Sequence, residues 1–259
     1  MRIALGLEYD GSRFHGFECQ TARRTVQGEV EKALARIAAS PVRVVCAGRT
    51  DAGVHALGQV VHFDTDVSRP ARAWVRGANT YLPPDVTVLW SRVVDDDFHA
   101  RFRALRRRYR YVIVNRSTRP ALLAGRVAWE YRPLDARLMN LGARHLVGEH
   151  DFSSFRAAGC QAKSPVRRVN RVDVSRSGER IVIDVDANAF LQHMVRNIAG
   201  TLVAVGSGER SPTWVGSILE ARDRRTAGVT APPGGLYLIG VDYPEAAGIP
   251  AVPFPDALW

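Results

Sequence analysis

VRVVCAGRTDAGVHALGQVVHFDT, residues 42–65, holds two apolar stretches separated by a polar loop that carries glycines. VRVVCAG (42–48) reads as a short strand, and QVVHFDT (59–65) reads as the strand that resumes after the loop. Between them GRTDAGVHA (48–56) sets Arg49 and Asp51 two positions apart, bracketed by Gly48 and Gly53. Glycine lets the backbone turn tightly and lets a ligand come close. A guanidinium beside a carboxylate favours its ionised form and fixes its orientation. Loops at strand ends are where rigid scaffolds display chemistry. By spacing alone, however, an Arg-Thr-Asp loop is more often a structural turn with an Asx hydrogen bond than a catalytic centre.

Working outward, RIALGLEY (2–9) is a strand that ends at the turn signal Asp10-Gly11. Thr25 is the N-cap of a helix in which Val26, Val30, Ala33, Leu34 and Ile37 recur at helical spacing, stopping before Pro41. A helix follows over 70–81 and a strand over 86–94. The second half repeats the order more loosely: a strand at 107–115, a helix at 134–148, a hairpin at 168–190 turning beside Ser177-Gly178, and a helix from Phe190 to 205. A short helix, TWVGSILEA, and a strand at 235–243 complete it. The Pro-rich tail from Pro244 is expected to be an irregular, surface-hugging end. Strand–helix–strand units alternating with hairpins predict an α+β protein, mostly antiparallel sheet with helices on one side. Two similar halves are expected, 1–104 and 105–259.

The formal net charge of +10 points to a polyanionic partner, although nearly all the basic residues are arginine, a bias that GC-rich coding also produces. The distribution sharpens the point. RFRALRRRYRYVIVNR (101–116) has seven arginines, two tyrosines and no acid. Guanidinium groups suit phosphate oxygens and interleaved aromatics stack on bases. The stretch alternates like a strand, which disfavours a membrane-surface helix. No apolar run reaches the ~20 residues of a membrane span, and MRIALGLEYDG turns acidic too early for a signal peptide. Cys19, Cys46 and Cys160 lack metal or disulfide spacing and fit a reducing cytoplasm. His55, His62, His99 and His193 have no metal-ligand spacing, the zinc-deaminase pattern is missing, and no phosphate-cradling glycine loop is present. No metal and no cofactor are expected.

GRTDAGVHA followed by QVVHF resembles the signature loop of the tRNA pseudouridine synthase A family. IALGLEYDG (3–11), DDFHARF (96–102), RRYRY (107–111), GEHDFSSFR (148–156), ANAFLQHMVRNIAGTLVAVG (187–206) and GLYLIGVDY (235–243) resemble further family segments, in family order. The resemblance implies the pseudouridine synthase fold with an active-site cleft between its halves, a tRNA substrate modified at positions 38, 39 and 40 of the anticodon stem-loop, a homodimer, and a cytoplasmic enzyme without cofactor. It assigns the nucleophile to Asp51. Attack at the ribose anomeric carbon, attack at the uracil ring and elimination to a glycal all remain open, and each needs an ionised, aimed carboxylate. It gives Arg49 the displacement of the target base from its stack.

Tyr109 matches the family's active-site tyrosine, whose ring stacks on the flipped uracil, while Tyr111 shares its face by alternation, so spacing does not separate the two. Arg196, in HMVRN, matches a basic residue that pairs with the catalytic aspartate. The helix stripe Phe190, Met194, Ile198 and Leu202 leaves it on another face. Arg107, Arg108 and Arg110 are the candidate phosphate contacts, with Asn79 in GANTYLPPD as a further substrate contact. Two positions depart from the family pattern: Tyr81 stands where a second asparagine is usual, and Phe17 where tryptophan is common. Three rival readings stay open: an RNA-binding protein of the same fold without activity, a hydrolase that uses Asp51 to release free uracil, and a structural or partner-binding role for the C-terminal half.

Overall fold

The computed structural model describes residues 1–251, and the last part of the Pro-rich tail, 252–259, lies outside them. In chain order the strands and helices are β1 (Arg2–Tyr9), α1 (Val26–Ala38), β2 (Val45–Cys46), β3 (His55–Asp64), α2 (Ala71–Tyr81), β4 (Val86–Val94), β5 (Arg106–Asn115) and β6 (Ala128–Glu130). Then come α3 (Ala136–Ala143), β7 (Gly148–Asp151), β8 (Val166–Ser177), β9 (Arg180–Ala187), α4 (Met194–Gly206), α5 (Trp214–Ala221) and β10 (Leu236–Asp242). The protein is α+β, and most strand pairs are antiparallel. Two compact units form among the described residues: Met1–Arg107 with the described chain after Leu236, and Arg108–Leu236.

In the first unit the strands run β4-β1-β3-β10, with β2 paired to β3. β1 is antiparallel to both β3 and β4, whereas β10 lies parallel to β3 through Tyr237↔His55 and Leu238↔Ala56. A strand distant in sequence therefore completes this unit. α1 starts where Thr25 accepts the Gly28 amide, and it buries Val26, Val30, Ala33 and Leu34. α2 carries the one buried tryptophan of its helix, Trp74, whose ring sits edge-on to Phe63 at 5.2 Å. Burying an aromatic pair of this kind is the largest single apolar contribution a helix–sheet contact offers, about 2–3 kcal/mol per ring.

The second unit runs β5-β9-β8-β7, with β6 parallel to β5. β9 alternates half-buried and buried residues without a break, so one face of the β8–β9 hairpin supplies Ile181, Ile183, Val185 and Ala187 to the core. The hairpin closes at Ser177↔Arg180, and Gly178 takes the positive φ that the two-residue turn needs.

Several boundaries differ from the sequence reading. The predicted strand over 42–48 shrinks to Val45–Cys46, extended only by the Ala47 amide on Val60 O at 2.8 Å. The helix over 134–148 ends at Ala143, because a tight 3-10 turn at Arg144–Leu146 and a strand at Gly148–Asp151 use the remaining residues. α4 begins at Met194, not Phe190: His193 holds a left-handed φ of 63° and the helix cannot pass backwards through it. The core stripe is thus Met194, Ile198, Leu202 and Val205, with Phe190 outside the helix.

Candidate active site

The GRTDAGVHA loop is held from below by buried polar contacts. Thr50 is buried, and its hydroxyl shares a 2.8 Å hydrogen bond with the Tyr9 hydroxyl at the end of β1. Gln59, fully buried in β3, donates its amide to Gly48 O at 2.6 Å and to the Tyr9 hydroxyl at 3.4 Å, and accepts the Gly48 amide at 3.4 Å. A buried carboxamide without these partners would cost about 1–3 kcal/mol, so the loop base has one stable arrangement. With Thr50 turned inward, Arg49 is exposed and Asp51 is half-buried.

The loop is also clamped from the side. Phe17 donates its amide to Thr50 O at 3.0 Å, and Gly53 donates to Phe14 O at 3.2 Å. Gly16, at φ 92°, presses on the Thr50–Asp51 peptide, where a Cβ would stand 2.8 Å from Thr50 O. Phe17 is itself buried with its ring 6.3 Å from Tyr9, so the aromatic exchange at this position keeps an apolar plug under the loop. After Asp51 the chain turns within four residues, Val54 donating to Asp51 O at 3.1 Å, and Gly53 supplies the positive φ of 78°. The last residues of the segment are strand, not loop. His55 opens β3, accepts the Gly11 amide on Nδ1 at 3.1 Å and stacks on Tyr237 at 4.6 Å.

Arg49 forms a 2.5 Å salt bridge with Glu18, both side chains about half exposed. An exposed pair of this kind contributes at most about 1 kcal/mol, so a phosphate or base can displace Glu18.

Tyr109 and Tyr111, equivalent by alternation, separate cleanly in the second unit. Tyr111 is fully buried and donates its hydroxyl to Pro232 O at 2.8 Å. Burial pushes its phenol well above the usual range, against a smaller opposite pull from the Arg196 charge. Tyr109 is 7% exposed, and Phe190 meets its ring edge-on at 4.9 Å. The turn ahead of α4 places Phe190 there.

Arg196 is half-buried in the first turns of α4 and donates Nε to Ala231 O at 2.9 Å, while the Ala231 amide returns to Arg196 O at 3.1 Å. The 224–231 segment is fastened to α4 by Asn197, whose Oδ1 accepts Thr230 Oγ1 at 2.7 Å and Arg224 Nη2 at 3.1 Å. Gly200 is required for that contact, since a Cβ there would lie 1.8 Å from Val229 O. None of Tyr9, Gln59, Gly16, Asn197 or Thr230 stands out in the sequence as part of a site. Their role is to hold backbone, which leaves no spacing pattern.

Three of the expected substrate contacts have partners within the protein. Arg107 is 8% exposed and donates Nη2 to Ala47 O at 3.1 Å and Arg101 O at 2.5 Å, and Nη1 to Ala104 O at 3.2 Å. Arg110 grips Asp184 with both Nε and Nη2, at 2.8 and 3.0 Å. Asn79 donates to Val88 O at 2.9 Å and accepts the Val88 amide at 2.8 Å, joining α2 to β4. Arg108 is half-buried, and the departure at Tyr81 is an exposed side chain at the end of α2. Among the described residues no group of three or more His, Cys, Asp or Glu side chains is placed to hold a metal ion.

A family model described as tRNA pseudouridine synthase matches residues 7–103 and 143–244. These segments contain Arg49, Asp51, Asn79 and Arg196, and β5 with Tyr109 falls between them. Proteins named tRNA pseudouridine synthase A cover that gap as well. The one from Methylococcus capsulatus is 59% identical over 249 residues, 96% of this chain and 92% of its own length. That of Nitrosococcus oceani is 56% identical over the whole of both chains. A third, from Coxiella burnetii, is 56% identical over 97% of each. With matches of this length and identity, the chain belongs to the tRNA pseudouridine synthase family.

Proposed function

We propose that this protein isomerises uridine to pseudouridine in the anticodon stem-loop of tRNA, at positions 38, 39 and 40. The observation that supports it most is the loop at 48–56. Thr50 is buried, and Arg49 and Asp51 on either side of it are left outside the core on a base held by buried hydrogen bonds. Preorganisation of this kind is what an attacking carboxylate needs.

In the proposed reaction Asp51 opens the bond between uracil N1 and ribose C1′. The uracil turns and its C5 joins C1′; the C5 proton is lost and N1 gains one, so no redox partner or group donor enters. Arg49 leaves Glu18 and fills the stack vacated by the target base. Tyr109 offers its ring to the flipped uracil, steadied edge-on by Phe190, and Arg196 is the further basic residue of the catalytic set. The N-terminal half thus supplies the carboxylate loop and the C-terminal half the tyrosine and arginine. The working enzyme in this reading is a cytoplasmic homodimer without cofactor.

Carbodiimide adducts of pseudouridine stop reverse transcription, and this maps the product directly. After incubation with unmodified tRNA transcripts, stops at positions 38, 39 and 40 are expected. Stops confined to another arm would overturn the site assignment, and release of free uracil would replace isomerisation with hydrolysis.

A further inference from the structure

The basic stretch 101–116 was expected to meet RNA through its strand, yet Arg107 and Arg110 are committed to internal partners. What the stretch leaves on the surface is its first part. Phe102 is 75% exposed, and its ring stacks on His99 at 4.2 Å with 28° between planes. The Arg101 guanidinium stands 5.7 Å from the Phe102 ring, and among the described residues Arg101 has no acidic partner. Its neighbour Arg103 is paired with Asp97.

This segment is not a loose loop tip. The amides of Arg101 and Phe102 both donate to His99 Nδ1, at 3.1 and 3.2 Å, which fixes the ring on which Phe102 rests. Ala100 is held on both sides: its amide donates to His62 Nδ1 at 3.1 Å, and its carbonyl accepts the Tyr243 hydroxyl at 2.6 Å. Arg107 then ties the carbonyls of Arg101 and Ala104 to that of Ala47, four residues ahead of Asp51. An exposed aromatic ring is thus fixed rigidly to the base of the candidate catalytic loop, inside one unit.

We propose that Phe102, backed by His99 and flanked by Arg101, is a stacking platform for an unpaired nucleobase of the RNA, with Arg101 taking the adjoining phosphate. The proposal rests on the RNA-modifying reading given above. A flat ring open on one face, with a cation beside it and no acid from His99 to Arg116, is complementary to a base and its phosphate. Arg107 is a positioning residue in this arrangement: it sets the distance from the stacked base to the Asp51 loop.

The test is filter binding of full-length Phe102→Ala, Phe102→Leu, Phe102→Tyr and Phe102→Trp proteins to unmodified tRNA transcripts at fixed salt. Thermal melts confirm that each variant is folded. Stacking predicts that Ala and Leu weaken binding about tenfold while Tyr and Trp stay within about twofold of wild type. Arg101→Gln should lower the slope of log affinity against log salt by roughly one contact, about 0.7 to 0.9. The proposal is overturned if Leu binds like Phe, if Ala binds like wild type, or if Phe102→Ala alters only the molar mass in sedimentation, which would make a second copy of the chain the occupant. Tritium release from uridine C5 by the wild type separates the two readings. An inactive wild type with the stacking order intact removes the reaction and keeps the platform. An active wild type with a flat Phe102 series removes the platform alone.

Discussion

Tyr9 and Thr50 share a buried hydrogen bond of 2.8 Å, and Thr50 is the residue between Arg49 and Asp51. The end of β1 therefore decides where the two candidate catalytic side chains point. Tyr9→Phe and Thr50→Val each remove one partner and leave the other buried, so each should cost about 1–2 kcal/mol of stability in a denaturant titration. Because the loop backbone is then free to shift, kcat should fall by about an order of magnitude or more with KM changed far less. Equal effects on both constants would assign the pair to folding alone.

Gly16 and Gly178 both have positive φ but differ in surroundings. A Cβ on Gly16 meets Thr50 O at 2.8 Å, whereas nothing lies within 4 Å of one on Gly178. Gly178→Ala should cost only the left-handed backbone term, about 1–2 kcal/mol, with activity retained. Gly16→Ala should cost more than that and should also depress kcat, because the clash falls on the peptide before Asp51. Thermal melts and steady-state kinetics of the two variants test the contrast.

His62 gives stability an acid limb. Burial first, then the nearby His99 and Arg2 charges, hold its imidazole at about 4 in the folded chain, below the usual 6.5. Between those values the unfolded chain binds a proton that the folded chain refuses, so stability is intact above pH 6.5 and is lost as pH falls toward 4. The loss approaches about 3 kcal/mol, on the order of the shift at 1.4 kcal/mol per pH unit. Urea titrations at pH 7.5 and pH 4.5 should show it, and His62→Gln should flatten that part of the profile. An unchanged profile in the variant would remove His62 as the cause.

The three cysteines should label in a fixed order. Burial pushes the Cys46 thiol up to about 12. Cys19, although on the surface, is raised by partial burial and by Glu31. At Cys160 partial burial is outweighed by the amides of Ala162 and Gln192 and by Arg156, and the thiol lies below its ordinary range. Iodoacetamide at pH 8 should therefore modify Cys160 first, Cys19 more slowly, and Cys46 only after unfolding. Peptide mass mapping over a time course reads the order directly.

Much of the fold was legible because its periodicities are strong. α1 with its Thr25 cap, the alternating β8–β9 hairpin, and α2 and β4 follow from spacing and turn residues. The misread boundaries have local causes that spacing does not carry, such as the left-handed His193 ahead of α4 and the tight turn after α3. For the candidate site, the loop with Arg49 and Asp51 was visible as a polar interruption between apolar strands. Its supports were not, since Gln59 and Tyr9 look like ordinary strand residues until their side chains are seen to meet Gly48 and Thr50. The sequence is equally silent on the partners that Arg107 and Arg110 find within the protein, Ala47 O and Asp184, because charge in a sequence does not record which way it faces.

Tritium release from tRNA transcripts labelled at uridine C5 tests the central claim most directly, with wild type compared with Asp51→Ala and Asp51→Asn. Wild type should release tritium, and both variants should release none while binding the same tRNA within a few-fold of wild type. Release by either variant at a rate near that of wild type would show that Asp51 is not the nucleophile, and with it the proposed mechanism would fail.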